Sequence, residues 1–79
     1  MNLPFLWGFA LMIIYDRLWK TMKEKGVTQY ALINTYGISN ATLDSLKHNR
    51  NVTTLTLSKL CTILKCDLHD IAEFIDGSE

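Results

Sequence analysis

Asn40, Ala41, Asp44 and Ser45 fall at i, i+1, i+4 and i+5, the spacing that places side chains on one face of an α-helix. Together they present an amide, a methyl, a carboxylate and a hydroxyl. These groups complement the edges that base pairs expose in the DNA major groove. Asn40 can pair bidentately with adenine, Asp44 can accept from cytosine N4, and Ala41 can touch a thymine methyl. Immediately after them Lys47, His48, Asn49, Arg50 and Asn51 form a cationic and amide cluster, suited to a sugar-phosphate backbone. Upstream, Thr28 and Gln29 head another helical pattern, where an amide side chain and free backbone N–H groups can hold a phosphate. Thr42 can reach a phosphate too. Each type also has a plain structural use. Ser, Asn and Asp collect at helix starts to cap them, and His48 can simply hydrogen-bond at a helix end.

Two crossing helices are needed to carry these groups. In residues 29–48, QYALINTYGISNATLDSLKH, apolar residues stand only where such helices touch. Leu32 and Ile33 form the inner face of the first, Gly37 ends it, and Ile38 plugs the corner. Ser39 caps the second, whose inner face is Leu43 and Leu46. That layout is a helix-turn-helix.

The rest of the chain reads as further helices of the same size. One spans about 16–25, capped by Asp16, with Leu18, Trp19 and Met22 inside, Arg17, Lys20, Lys23 and Lys25 outside, and Gly26 as its stop. Thr28 caps the next, about 29–36, and the reading helix covers about 40–48. A polar loop, residues 49–53, precedes a helix from about 55 to 65 with Leu57, Leu60, Cys61 and Leu64 at helical spacing. Asp67 caps a last helix, about 68–75, built on Leu68, Ile71, Ala72 and Ile75. Strand alternation shows only faintly at Met12–Tyr15.

This pattern resembles the Cro/repressor-type (XRE) helix-turn-helix family of phage and bacterial regulators. The likeness covers about residues 13–75 and rests on Gln29, Leu32, Gly37-Ile38-Ser39, Leu43, Leu46 and the Thr54…Leu57…Leu60-Cys61…Leu64…Asp67 series. It implies an all-α, five-helix, lambda-repressor-like domain. It also implies a phosphate contact for Gln29 and base-reading positions at Asn40, Ala41, Asp44 and Ser45. One departure stands out: the family usually has alanine at Ile33. Isoleucine there implies a wider helix crossing or a partly exposed side chain.

The 79 residues allow one domain with a modest core, and a 48% hydrophobic content with a single proline argues against disorder. Net charge is zero, which by itself speaks against a nucleic-acid partner, but the charge is segregated. Residues 1–66 hold all eight Lys and Arg against Asp16, Glu24 and Asp44, a balance of +5, while residues 67–79 carry −5. Screening over ~8 Å at physiological salt lets the two ends act separately. The acidic end otherwise reads as a solvated tail.

Cys61 and Cys66 have neither a CxxC nor a zinc spacing, with only His48 and His69 to join them. They read as free thiols suited to a reducing cytoplasm, Cys61 on an apolar stripe. We expect no metal and no cofactor. There is no triad spacing, no phosphate-cradling glycine loop and no room in so small a chain for a shielded pocket, so no enzyme is expected.

Residues 3–15 are an uncharged apolar run of 13, short of the ~20 a membrane-spanning helix needs. It carries no basic flank for a signal peptide. Three accounts stand: a natural start at Met12, packing over the core or against a second subunit, or contact with a membrane surface. Packing or self-association is favoured, because an exposed patch with Phe5, Leu6, Trp7 and Phe9 needs covering. The expected organisation is therefore an apolar extension, 1–12, followed by a helix-turn-helix domain, 13–79. The expected function is a DNA-binding transcriptional regulator, working as a homodimer. The rival readings are a protein-binding module of the same fold and a small membrane-associated protein acting through residues 3–15.

Overall fold

The computed structural model describes residues 11–76. In chain order these form β1 (Leu11–Ile14), α1 (Asp16–Lys25), α2 (Gln29–Asn34), α3 (Asn40–Lys47), α4 (Thr54–Leu64), a 3₁₀ turn (Leu68–Asp70) and β2 (Glu73–Asp76). Most of the extension read at residues 1–12 lies outside the described residues. Its last two positions belong to β1.

Each helix has local reasons to start and stop. α1 places Asp16 in its first turn and Lys23 and Lys25 in its last, matching the helix dipole. Asp16 is its first residue and not its cap. Tyr15 holds that place without a side-chain bond. Gly26, at φ 72, closes α1 in a Schellman turn, with Gly26 N–H donating to the Lys23 carbonyl and Val27 N–H to that of Met22. Thr28, Ser39 and Thr53 each accept from the backbone N–H three residues on, capping α2, α3 and α4.

The four helices enclose a core of Tyr15, Leu18, Met22, Leu32, Ile38, Leu43, Leu46, Leu60, Leu64 and Ile71. The inner stripes expected for α1 to α4 supply most of it. Trp19, Leu57 and Cys61 are half-buried around its margin.

The fifth helix expected at 68–75 does not form, so the described residues make four helices with a small sheet and are not all-α. Asp67 and Asp70 build a capping box, but it starts only a 3₁₀ turn. Residues 73–76 then extend and pair antiparallel with β1, Met12 opposite Ile75 and Ile13 opposite Phe74. The helical spacing of Leu68, Ile71, Ala72 and Ile75 was real but misleading. Only Ile71 is fully buried, and Leu68 is exposed. The open backbone of β1 wins the segment, helped by the strand preference of Phe74 and Ile75.

α1 fastens this end in place. Thr21 is buried and its hydroxyl donates to the Asp70 carbonyl at 2.6 Å. Arg17 Nη1 donates to the His69 carbonyl at 3.0 Å, and its Nε lies 3.3 Å from Glu73 Oε1. These bonds occupy carbonyls that a continuing helix would have used.

Thr21→Val keeps the shape and removes the hydroxyl. It should cost about 1–2 kcal/mol, because the Asp70 carbonyl loses its partner. Urea unfolding should show a lower midpoint with an unchanged slope.

Candidate nucleic-acid interface

The corner between α2 and α3 is set by Gly37 and Ile38. Gly37 adopts φ 76, a left-handed conformation that returns the chain so that Ile38 N–H donates to the Leu32 carbonyl at 2.9 Å. Ile38 is buried beneath the corner, in one core cluster with Leu32, Leu43 and Leu46. Ile33 is half-buried and packs against the core, in keeping with the partial exposure expected of it.

With Leu43 and Leu46 turned inward, α3 presents its other face to solvent. Asn40, Ala41 and Asp44 are exposed there and Ser45 is half-buried, so the four residues singled out by spacing do share one accessible side. Ala41, Thr42 and Ser45 line a shallow cleft with Asn51, Val52 and Thr53. Thr42 is tied into the cap: its N–H donates to Ser39 Oγ at 3.1 Å, and its Oγ1 accepts from the same hydroxyl at 2.9 Å. Thr28 is likewise engaged, accepting from Ala31 N–H at 3.0 Å. Gln29 is exposed at the start of α2.

The cluster after α3 is more ordered than its composition suggested. Asn49 adopts φ 54 and closes α3 in a Schellman turn. Its N–H donates to the Leu46 carbonyl at 3.3 Å, and Arg50 N–H donates to that of Ser45 at 2.8 Å. The side chain of Asn49 also works for the scaffold, since its Oδ1 accepts from Tyr15 N–H at 2.9 Å. Lys47, His48, Arg50 and Asn51 are exposed.

The turn folds Arg50 back onto α3, where Nη1 donates to Asp44 Oδ2 at 3.1 Å. His48 Nδ1 lies 2.9 Å from the Asp44 carbonyl and 3.3 Å from its Oδ1. Asp44 is therefore flanked by two basic side chains. Sequence reasoning missed this cluster. The available signal was an asparagine directly after a helix end, the residue that best replaces glycine in a left-handed cap.

Two other groupings lie away from α2 and α3. Cys61 and Cys66 are free, half-buried thiols joined by the backbone bond from Cys66 N–H to the Cys61 carbonyl at 3.0 Å. Burial first, and then the neighbouring Cys61, push the Cys66 thiol up, which makes it a poor nucleophile at neutral pH. Asp67, His69 and Asp70 bring ligand-type atoms within 4.8 Å of one another, a proximity the sequence reading did not anticipate. Asp70 Oδ2 there accepts from Asp67 N–H at 2.9 Å, so the carboxylate serves the capping box. No helix among the described residues is long and apolar enough to cross a membrane.

Comparison with known proteins agrees with this geometry. A family model for the Cro/C1-type HTH DNA-binding domain matches residues 17–77. Among solved structures, the chain is similar to the transcriptional regulator VanUg in its crystal form II. The two share 30% identity over 85% of this chain and 89% of that chain, with a TM-score of 0.77. No curated protein matches.

Gly37→Ala tests the corner. An added Cβ would meet nothing within 4 Å, so its cost is that of the left-handed backbone alone, about 1 kcal/mol after the stiffer unfolded chain is counted. Thermal unfolding should show a correspondingly lower midpoint.

Proposed function

Because the chain belongs to the Cro/C1-type helix-turn-helix DNA-binding family, we propose that it is a sequence-specific transcriptional regulator, acting as a repressor in the cytoplasm. In this reading α3 enters the major groove and Asn40, Ala41, Asp44 and Ser45 face base edges. Thr28, Gln29, Thr42, Lys47, His48, Asn49, Arg50 and Asn51 meet the flanking backbone. The observation that carries the proposal is the two-sided character of α3. Leu43 and Leu46 are buried while Asn40, Ala41 and Asp44 stand open on the opposite side. The function needs no chemistry beyond binding, so the protein acts without catalysis.

The segregated charge supports the same partner. Three of the acids toward the C-terminal end are held by the fold: Glu73 pairs with Arg17, and Asp67 and Asp70 engage each other through the capping box. The basic side chains around α3 thus face DNA without those carboxylates on their own elements. Neutralising three phosphates per subunit would give a slope of log affinity against log salt near −2.7, by the counterion rule of about −0.9 per phosphate.

One such contact set binds weakly, so we infer a homodimer on two half-sites one helical turn apart. The exposed apolar ribbon supports this. Met12, Ile13, Phe74 and Ile75 on β1 and β2 are 36–59% exposed, an arrangement that a second copy would cover.

Selection of duplexes from a random pool, followed by titration at several salt concentrations, tests the reading. A specific, palindromic site is expected, with a slope near −5.4 for two subunits. Gln29→Ala combined with Lys47→Ala should weaken binding to all duplexes and flatten the slope. Unchanged DNA affinity in that variant would point instead to a protein partner. For the dimer, Phe74→Lys should reduce the sedimentation mass to one chain, with the helical circular dichroism signal retained.

A further inference from the structure

Asp44 presents a problem on a surface meant for DNA. It is an acid on the outer face of α3, where phosphates would repel it. Both of its carboxylate oxygens already face groups of its own chain. Oδ2 accepts from Arg50 Nη1 at 3.1 Å, and Oδ1 lies 3.3 Å from His48 Nδ1. A carboxylate so occupied is poorly placed to accept from cytosine. The pair is also exposed, with side-chain accessibilities of 61% and 54%. Exposed ion pairs add little to stability, so the consequence of this one is orientation.

That orientation is built by the backbone. The left-handed turn at Asn49, held by Arg50 N–H to the Ser45 carbonyl and by Tyr15 N–H to Asn49 Oδ1, sends the chain back along α3. The Arg50 side chain then reaches Asp44 on the outer face of α3 instead of trailing outward along the loop. Its guanidinium carries five N–H donors, and Asp44 is the side chain that engages it among the described residues. The remaining fork can donate in parallel to two acceptors, and guanine O6 and N7 are the pair in the major groove that fit it.

We propose that Arg50 is a base-reading residue selecting guanine, and that Asp44 is the positioning residue that holds its guanidinium over the groove. This rests on the reading of α3 as the groove-facing helix and alters the division of labour within it. Arg50 moves from the phosphate contacts to the base contacts. Asp44 moves from direct acceptor to support, and in doing so its charge is neutralised.

The test uses the full chain and the duplex it prefers from random selection. Binding is followed by fluorescence anisotropy on three duplexes across a range of salt: the preferred one, one with a single G·C pair replaced in each half-site, and an unrelated one. For Arg50→Lys, which keeps the charge and loses the fork, the preferred duplex should weaken by about 5- to 150-fold per half-site, the range of one bidentate base contact. The preference at one G·C position should flatten and the salt slope should stay as in wild type. Asp44→Ala should lose the same preference while binding the unrelated duplex as well as wild type or better, since a repelling charge is gone. Asp44→Asn, which retains an oxygen acceptor, should restore part of the preference.

The opposite results are as clear. If Arg50→Ala weakens all three duplexes equally and lowers the slope by about 0.9 per subunit, Arg50 is a phosphate contact and the inference fails. If the Arg50 and Asp44 variants keep the wild-type site, it also fails, while the regulator reading survives. If wild type binds no duplex at all, the regulator reading fails and takes this inference with it.

Discussion

Everything α3 offers to solvent depends on the burial of Leu43 and Leu46 on its reverse side. Both belong to one buried cluster with Leu32 and Ile38, and all four are at most 5% exposed. Each such side chain contributes roughly 1.5–3 kcal/mol by leaving water, a large share of what a domain this small retains. With those two residues fixed, the helical period leaves Asn40, Ala41 and Asp44 no place but the outer face. A rotation of α3 by a quarter turn would bury a carboxylate and expose a leucine, which the energetics forbid.

The ends of the domain are secured differently, through polar bonds to backbone carbonyls. α1 contributes Arg17 and Thr21 to the 3₁₀ turn and β2, while β2 pairs with β1. Asn49 receives the N–H of Tyr15 at the start of α1. The first helix and the end of α3 are therefore connected directly, across 34 positions of sequence. Through that bond the cluster of His48, Asn49 and Arg50 belongs to the scaffold, and its geometry does not rest on surface ion pairs alone.

Charge follows the same division. A net charge of zero is misleading for a DNA-binding domain, because opposite signs occupy different parts of the fold. Arg17 turns toward Glu73, and Asp67 and Asp70 serve the capping box. Lys47, His48 and Arg50 stay beside α3. Asp44, the acid among them, is the one that Arg50 and His48 attend.

Much of this was legible in the sequence because it depends on neighbours three or four residues apart. The helix starts at Asp16, Gln29, Asn40 and Thr54, the caps at Thr28 and Ser39, the glycine corner and the two inner faces all follow from short-range period and local hydrogen bonding. Residues 68–75 show where that reasoning ends. Their spacing suits a helix, yet β1, some sixty positions upstream, supplies a backbone partner that spacing cannot reveal. The Asp44–Arg50 contact was hidden for a related reason, since six residues apart on a helix would not meet, and only the left-handed turn at Asn49 brings them together. Thus local periodicity determined the helices and which sides of them are apolar. Tertiary structure decided what closes the C-terminal end and how the charged groups beside α3 are shared, because both depend on contacts between parts of the chain that the one-dimensional pattern does not join.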